Sequence, residues 1–155
     1  PRVVEWLKRK IPVALATDGP GSNNSQDMLE VLKFTACLQK VDTLNATALL
    51  PEDVLQMTYH GGASAMGLRG AIGRLTPGAL ADIVLVNLQR AHISPVYSPQ
   101  SALVYNANGN DVDTVIVGGE VLVRDGRAVN INEENLIADC QRAAEAMWKR
   151  SGIRV

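Results

Sequence analysis

The sequence holds 155 residues, 46% of them hydrophobic and 20% charged, which excludes a disordered or low-complexity polypeptide and gives enough apolar mass for one ordinary core. Lysine and arginine number 15 against 16 aspartates and glutamates, so no bulk charge selects nucleic acid or an anionic membrane as partner. No apolar run is long enough for a membrane span, and Cys37 and Cys140 lack metal-type spacing. Both cysteines are expected as reduced core residues, which points to the cytoplasm.

Residues 2–10 place Val3, Val4 and Leu7 on one side and Arg2, Lys8 and Arg9 elsewhere, the pattern of a short helix. Ile11 to Ala16 then form a compact apolar run, expected as a buried strand. After the turn-forming residues 17–24, Asn24 or Ser25 is expected to cap the next helix, with Asp27 in its first turn. Met28, Leu29, Leu32, Phe34, Leu38 and Val41 cover most of that helix's circumference, which predicts a well-buried helix to about residue 41. Pro51, with Glu52 and Asp53 behind it, starts another helix that runs to a stop at Gly67. Gly61 and Gly62 inside that pattern each cost about 1 kcal/mol against alanine, which predicts a close crossing with another backbone.

From residue 70 the character changes. The stretch ADIVLVNL, Ala81 to Leu88, is rich in β-branched residues. VDTVIVGGEVLV, Val112 to Val123, reads as two strands joined by Gly118-Gly119 in a two-residue hairpin. A second turn at Arg124-Asp125-Gly126 leads to RAV, and residues 133–150 return to helical spacing with Leu136, Ile137, Cys140, Ala144, Met147 and Trp148 near one stripe.

The chemistry candidates centre on ALATDGPGSNN, where Asp18 ends the apolar run and glycines follow. In (β/α)8 barrels that end of a strand carries catalytic residues, and a carboxylate there can ligate a divalent cation or move the proton of a water. Two other readings stay open: an aspartate that caps its own turn, and an anion-binding nest built by Gly19 and Gly21. Ser22, Asn23 and Asn24 can hold substrate or brace the loop. His60 and His92 form no metal motif and are expected as surface or packing residues. Ser64, Ser94, Ser98 and Ser101 lack a nucleophile-elbow context.

VALATDGPGSNNSQDMLEVLKFTACLQK resembles the last barrel strand and following helix of the amidohydrolase superfamily, in the branch of methylthioadenosine/S-adenosylhomocysteine deaminases and chlorotriazine hydrolases. The likeness continues through LLPEDVLQMTYHGGASAMGL, IGRLTPGALADIVLVNL, HISPVYSP and LVYNANGNDVDTVIVGGEVLVRDGR. It departs at Thr58-Tyr59 and Gly61-Gly62-Ala63, where the family commonly carries Ala-Thr and Asn-Gly-Ala. The resemblance implies an α/β fold that is the C-terminal third of a metal-dependent (β/α)8 enzyme. Residues 1–69 would end the barrel, 70–130 would form part of a composite β-sandwich, and 131–155 would be a C-terminal helix. Asp18 would be both the metal-contacting and the catalytic aspartate, with Ser22 and Asn23 near the substrate.

The cofactor implied is zinc, or iron in some relatives. The substrate implied is a small heterocyclic or nucleoside-like molecule losing ammonia or chloride. The family's HxH pair and middle-strand histidines are absent from these residues, so no tightly held metal and no activity are expected of this chain alone. A homo-oligomer is expected as well. The alternative is a non-catalytic, self-associating remnant or a small-ligand-binding α/β protein.

Overall fold

The structure is a computed structural model and describes residues 2–152; residue 1 and residues 153–155, at the outer ends of the first and third expected segments, lie outside it. Helix α1 (Val3–Lys8) forms as its spacing predicts, with Val3 buried and Val4 and Leu7 against the core. The amide of Val4, one of the donors a helix start leaves unpaired, reaches Oε1 of the buried Gln39 at 3.1 Å.

The strand expected over 11–16 does not form a ladder. Residues 11–19 carry no regular hydrogen-bonded structure, and Pro12 to Ala16 make no backbone hydrogen bond among the described residues. The burial still alternates: Val13, Leu15 and Thr17 are half-buried, while Ala14, Ala16 and Asp18 are exposed. That period of two is the signature of a strand conformation. The ladder itself needs neighbouring strands, and among the described residues none lies alongside.

A short helix α2 (Pro20–Asn23), not expected from sequence, closes the loop and ends on Asn24 at φ 61°. Helix α3 (Met28–Thr43) is capped by Asp27 rather than by Asn24 or Ser25. Asp27 Oδ1 accepts from the amides of Leu29 (2.9 Å) and Glu30 (3.3 Å), which satisfies two donors at once. Nor is α3 buried all round. Leu32, Ala36 and Gln39 face inward, but Phe34, Leu38 and Val41 are 54%, 58% and 69% exposed. Their face turns away from the chain's own core.

The expected helix from Pro51 is interrupted. It runs as α4 (Pro51–Gln56), a π-helical turn at Met57–Gly61 and α5 (Gly62–Ala65), and the chain turns at Gly67 with φ 71°. The π turn falls on the stretch where the sequence departs from the family pattern. It is also where the helix meets the 11–17 segment: a Cβ on Gly61 would lie 2.1 Å from the Val13 carbonyl oxygen. Gly62 makes no such crossing, because nothing lies within 4 Å of its Cβ position. The expectation of a backbone crossing therefore holds for one glycine of the pair.

The core gathers Val3, Leu32, Ala36, Leu49, Val54, Leu55, Met57 and Val104, with Val13 and Leu15 packed against it. Val104 comes from helix α6 (Pro99–Tyr105), which the sequence reading overlooked although Ser98 at the cap and Pro99 at the first position mark it. Ser98 Oγ accepts from the Ser101 amide at 3.2 Å.

The sheet is one antiparallel layer in the order β1 (Ile83–Val86), β2 (Val112–Val117), β3 (Glu120–Arg124) and β4 (Arg127–Ala128). Gly118 and Gly119 take φ of 58° and 87°, as a primed two-residue turn requires. Asp125 and Gly126, at 50° and 72°, repeat the device. Asp82 Oδ1 accepts from the Gly118 amide at 2.7 Å, which ties the start of β1 to the hairpin tip. The outer edge of β1 is unpaired among the described residues.

Two carboxylates fix the turn that precedes β2, one to helix α3 and one to the loop after β1. Asp27 Oδ2 accepts from the Gly109 amide at 2.7 Å, and a Cβ on Gly109 would press on that carboxyl group at 3.3 Å. Asp111, 2% exposed, accepts from the Asn108 amide (2.9 Å) and contacts His92 Nε2 (3.0 Å). Burial pushes its pKa up, but the bonds from Asn108 and His92 and the charges of His92 and Arg90 outweigh this and hold it below the usual carboxylate value. Helix α7 (Glu133–Ser151) has no buried residue. Cys140 on it is exposed and Cys37 on α3 only half-buried, so neither is the core cysteine expected. No helix among the described residues is long and apolar enough to cross a membrane.

The glycine pair yields a comparison. Gly61→Ala is expected to destabilise the chain by about 1–3 kcal/mol through overpacking against the Val13 carbonyl. Gly62→Ala, in open space with helical backbone, is expected to stabilise it by roughly 0.5–1 kcal/mol. Urea unfolding of the two variants measures both signs.

Candidate active site

Asp18 sits where the 11–17 segment ends, and its backbone is left-handed at φ 62°. Aspartate tolerates that region better than most residues because its short polar chain bonds locally. The left-handed positions of the loop are Asp18 and Asn24, not Gly19 or Gly21, which have open space around them. The loop's glycines therefore serve no close approach within this chain.

The Asp18 carboxylate is held from both sides. Oδ1 accepts from the Gly19 amide at 2.7 Å and Oδ2 from Ser22 Oγ at 3.0 Å. These two bonds, the amide first, lower its pKa below the ordinary carboxylate value, against a smaller opposing effect of burial. The group is thus an ionised, oriented carboxylate at neutral pH. It also fills the nest that Gly19 and Gly21 suggested for an anion. The Gly19 amide is taken by Asp18 itself, and the amides of Ser22 and Asn23 both bond the Gly19 carbonyl at 3.0 Å.

The structure brings the three expected site residues together, with distinct tasks. Ser22 orients Asp18. Asn23 Nδ2 donates to the carbonyls of Thr17 (2.7 Å) and Ser25 (3.1 Å), so its amide nitrogen braces the loop. Gln26, which sequence reasoning missed, donates from Nε2 to the Asp18 carbonyl at 2.9 Å. No sequence signal marks it, because its partner is a backbone atom. Asp111 and His92 were missed as a pair as well. Here a signal existed: Asn108 and Asp111 stand at capping-box spacing around the short 3-10 turn Gly109–Asp111.

Beside Asp18 opens a groove of about 760 Å3, lined on one wall by Ala14, Ala16, Ser22 and Asn23 and on the other by α3 residues that include Phe34 and Leu38. Each Asp18 oxygen accepts one hydrogen bond and keeps acceptor capacity, so the carboxylate fits the part of a single metal ligand. Among the described residues no group of three or more His, Cys, Asp or Glu side chains stands ready to complete a metal site. His60 is exposed, and His92 is engaged with Asp111.

A sequence profile described as the Amidohydrolase family matches residues 1–122. The chain belongs to the amidohydrolase family. Its relatives include a 5'-deoxyadenosine deaminase of Methanosphaera stadtmanae, 44% identical over 94% of this chain and 34% of the relative. A 5-methylthioadenosine/S-adenosylhomocysteine deaminase of Pyrococcus furiosus is 42% identical over 82% of this chain and 30% of its own length. Among solved structures, an adenosine deaminase of Xanthomonas campestris with bound zinc superposes with a TM-score of 0.91 at 27% identity, covering 96% of this chain and 34% of that one. The zinc complex of atrazine chlorohydrolase TrzN from Arthrobacter aurescens gives 0.82 at 27% identity, over 90% and 31%. This amidohydrolase chain therefore spans about a third of the length of the relatives it matches. Its α/β architecture is that of part of the amidohydrolase fold.

In this amidohydrolase chain, Ser22→Ala is expected to raise the Asp18 pKa towards the ordinary carboxylate value, because one of its two stabilising bonds is lost. The sign for stability follows: a lowered folded pKa contributes stability above the unfolded value, and that contribution disappears as pH falls through the folded pKa. Carboxyl carbon NMR titration of Asp18 in both proteins measures the shift, and an unchanged titration would exclude the hydroxyl as a cause.

Proposed function

We propose that the chain carries the Asp18 corner of a metal-dependent hydrolase that displaces an amino or chloro group from a heterocyclic, nucleoside-like or triazine ring. The observation that carries this reading is the ionised Asp18 carboxylate, oriented by two hydrogen bonds at the mouth of a groove where the barrel-type segment ends. The names of the deaminase and chlorohydrolase relatives supply the substrate class.

Asp18 is the residue of this chain that would hold a divalent cation, zinc as in the neighbouring structures or iron. When bound, the cation supplies Lewis acidity that makes a water easier to deprotonate. The rest is proton traffic. Water adds to the ring carbon, a carboxylate oxygen of Asp18 accepts its proton, and the proton passes to the departing nitrogen. The C–O bond forms as the C–N bond breaks, and ammonia leaves; in the chloro case the C–Cl bond breaks, chloride leaves, and Asp18 releases the proton to solvent. Gly19 and Ser22 fix the carboxylate's direction through this cycle. Ser22 and Asn23 line the groove beside it, where a substrate's polar edge would pass. The fold that houses this chemistry is the end of a (β/α)8 barrel, with β1 to β4 as one layer of a composite sandwich.

By itself the chain supplies one donor where zinc takes about four. The purified protein is expected to bind zinc no tighter than about millimolar and to release no ammonia from 5'-deoxyadenosine. Stoichiometric zinc that is lost in Asp18→Ala would overturn the single-donor account.

The function itself is tested in a covalent hybrid that joins the unmatched two thirds of the Methanosphaera stadtmanae relative to this chain. The hybrid is expected to release ammonia, and Asp18→Asn is expected to lower the rate by roughly 10²–10⁴-fold. A hybrid whose activity survives that substitution would remove Asp18 from the chemistry.

A further inference from the structure

The backbone on either side of Asp18 is tied down by two side-chain amides that meet at one carbonyl. Asn23 Nδ2 spans the carbonyls of Thr17 and Ser25, at 2.7 and 3.1 Å, and Gln26 Nε2 spans those of Asp18 and Ser25, at 2.9 and 3.0 Å. Two carbonyls face the Gln26 amide, so its nitrogen, the end that donates, must point at the loop.

The two amides hold successive peptide planes, and the planes carry different groups. A trans peptide is rigid, with its C=O and N–H on opposite sides. The plane that presents the Asp18 carbonyl to Gln26 is also the plane that presents the Gly19 N–H to Asp18 Oδ1, at 2.7 Å. Turning the carbonyl away from Gln26 takes that N–H away from the carboxylate.

Little else resists the turn. Gly19 has no side chain to restrict its φ, and nothing lies within 4 Å of where a Cβ would stand. The other side-chain donor to the Asp18 carbonyl among the described residues is the Thr17 hydroxyl at 3.1 Å, which belongs to the adjoining residue and moves with it. Gln26 reaches in from eight residues along the chain. It adjoins Asp27, which caps α3 and holds the Gly109 amide, so the tie starts from a fixed point.

We propose that Gln26 is a positioning residue of this site: through the 18–19 peptide plane it keeps the Gly19 N–H on Oδ1 and so sets the direction of the Asp18 carboxylate. Its effect on turnover rests on the hydrolase reading, whereas the geometry is a property of the chain alone. The groove beside Asp18 is lined without Gln26. Its loss therefore acts on the aim of the carboxylate and not on contact with a substrate.

Two substitutions of matched size separate a tie from mere packing. Gln26→Met removes the donors, and Gln26→Glu turns carboxylate oxygens towards two carbonyls. In the 155-residue chain, NMR reads the Gly19 amide proton, which a short bond to a carboxylate holds downfield. In Gln26→Met it is expected to move upfield and to exchange with solvent about fivefold faster. In Gln26→Glu it is expected to move at least as far. A Gly19 amide unchanged in both variants would overturn the proposal, because a side chain that only fills space is replaced by either.

Kinetics in the covalent hybrid give the second readout. Gln26→Met is expected to lower kcat roughly three- to tenfold and to leave KM within about twofold of the parent. An unchanged kcat, or a loss carried by KM alone, would remove the positioning role. A responding Gly19 amide, with no ammonia released by the parent hybrid, would leave the positioning standing and count against the hydrolase reading. An active hybrid beside an unresponsive amide would do the reverse.

Discussion

The contact between Gly61 and the Val13 carbonyl sets the position of nearly everything that bears on function. An extended segment with no ladder hydrogen bonds has nothing of its own to hold it straight, so its course is fixed by what lies on its inner face. That face carries Val13 and Leu15 into the helical core, and the π-helical turn presses on it where residue 61 has no side chain. The helix layer thereby acts as a template for an extended segment that pairs with no strand among the described residues. Where the template ends, the loop begins with Asp18.

At that point the loop replaces sheet pairing with local bonding. Asn23 holds the Thr17 carbonyl, Gln26 holds the Asp18 carbonyl, and the Asp18 side chain receives Gly19 and Ser22. The result is a carboxylate whose direction and ionisation are both fixed before anything binds. The turn-capping and catalytic readings of an Asp-Gly pair are therefore compatible here: the same two hydrogen bonds that close the turn keep the acid charged and aimed.

The sheet is not an independent attachment. Asp27 caps α3 with one oxygen and holds the Gly109 amide with the other, so the helix that follows the Asp18 loop is pinned to the turn that precedes β2. Asp111, buried beside His92, fixes the same turn to the loop after β1. The first is a tie on a main-chain amide and the second runs through the His92 ring, and both act at short range while the outward faces of α3 and α7 stay exposed.

The sequence by itself determined what depends on neighbours along the chain. The apolar spacing of α1, the glycine pair that turns β2 into β3, the stripe of α7 and the loop chemistry around Asp18 are all local, and local periodicity and turn geometry reveal them. The Ser-Pro start of α6 and the Asn108–Asp111 capping box were equally legible and were passed over. Only the tertiary structure decided what depends on distant partners. Gly61 rather than Gly62 meets a backbone because the π turn and Val13 happen to cross there, and Gln26 matters because a carbonyl lies within its reach. The apolar run at 11–16 takes a strand's alternation without a strand's bonds, since hydrogen bonds between strands belong to pairs. Apolar pattern marks a surface for burial, but which surface is covered depends on tertiary packing, and the outer face of α3 and the stripe of α7 stay exposed because the chain's own core does not reach them.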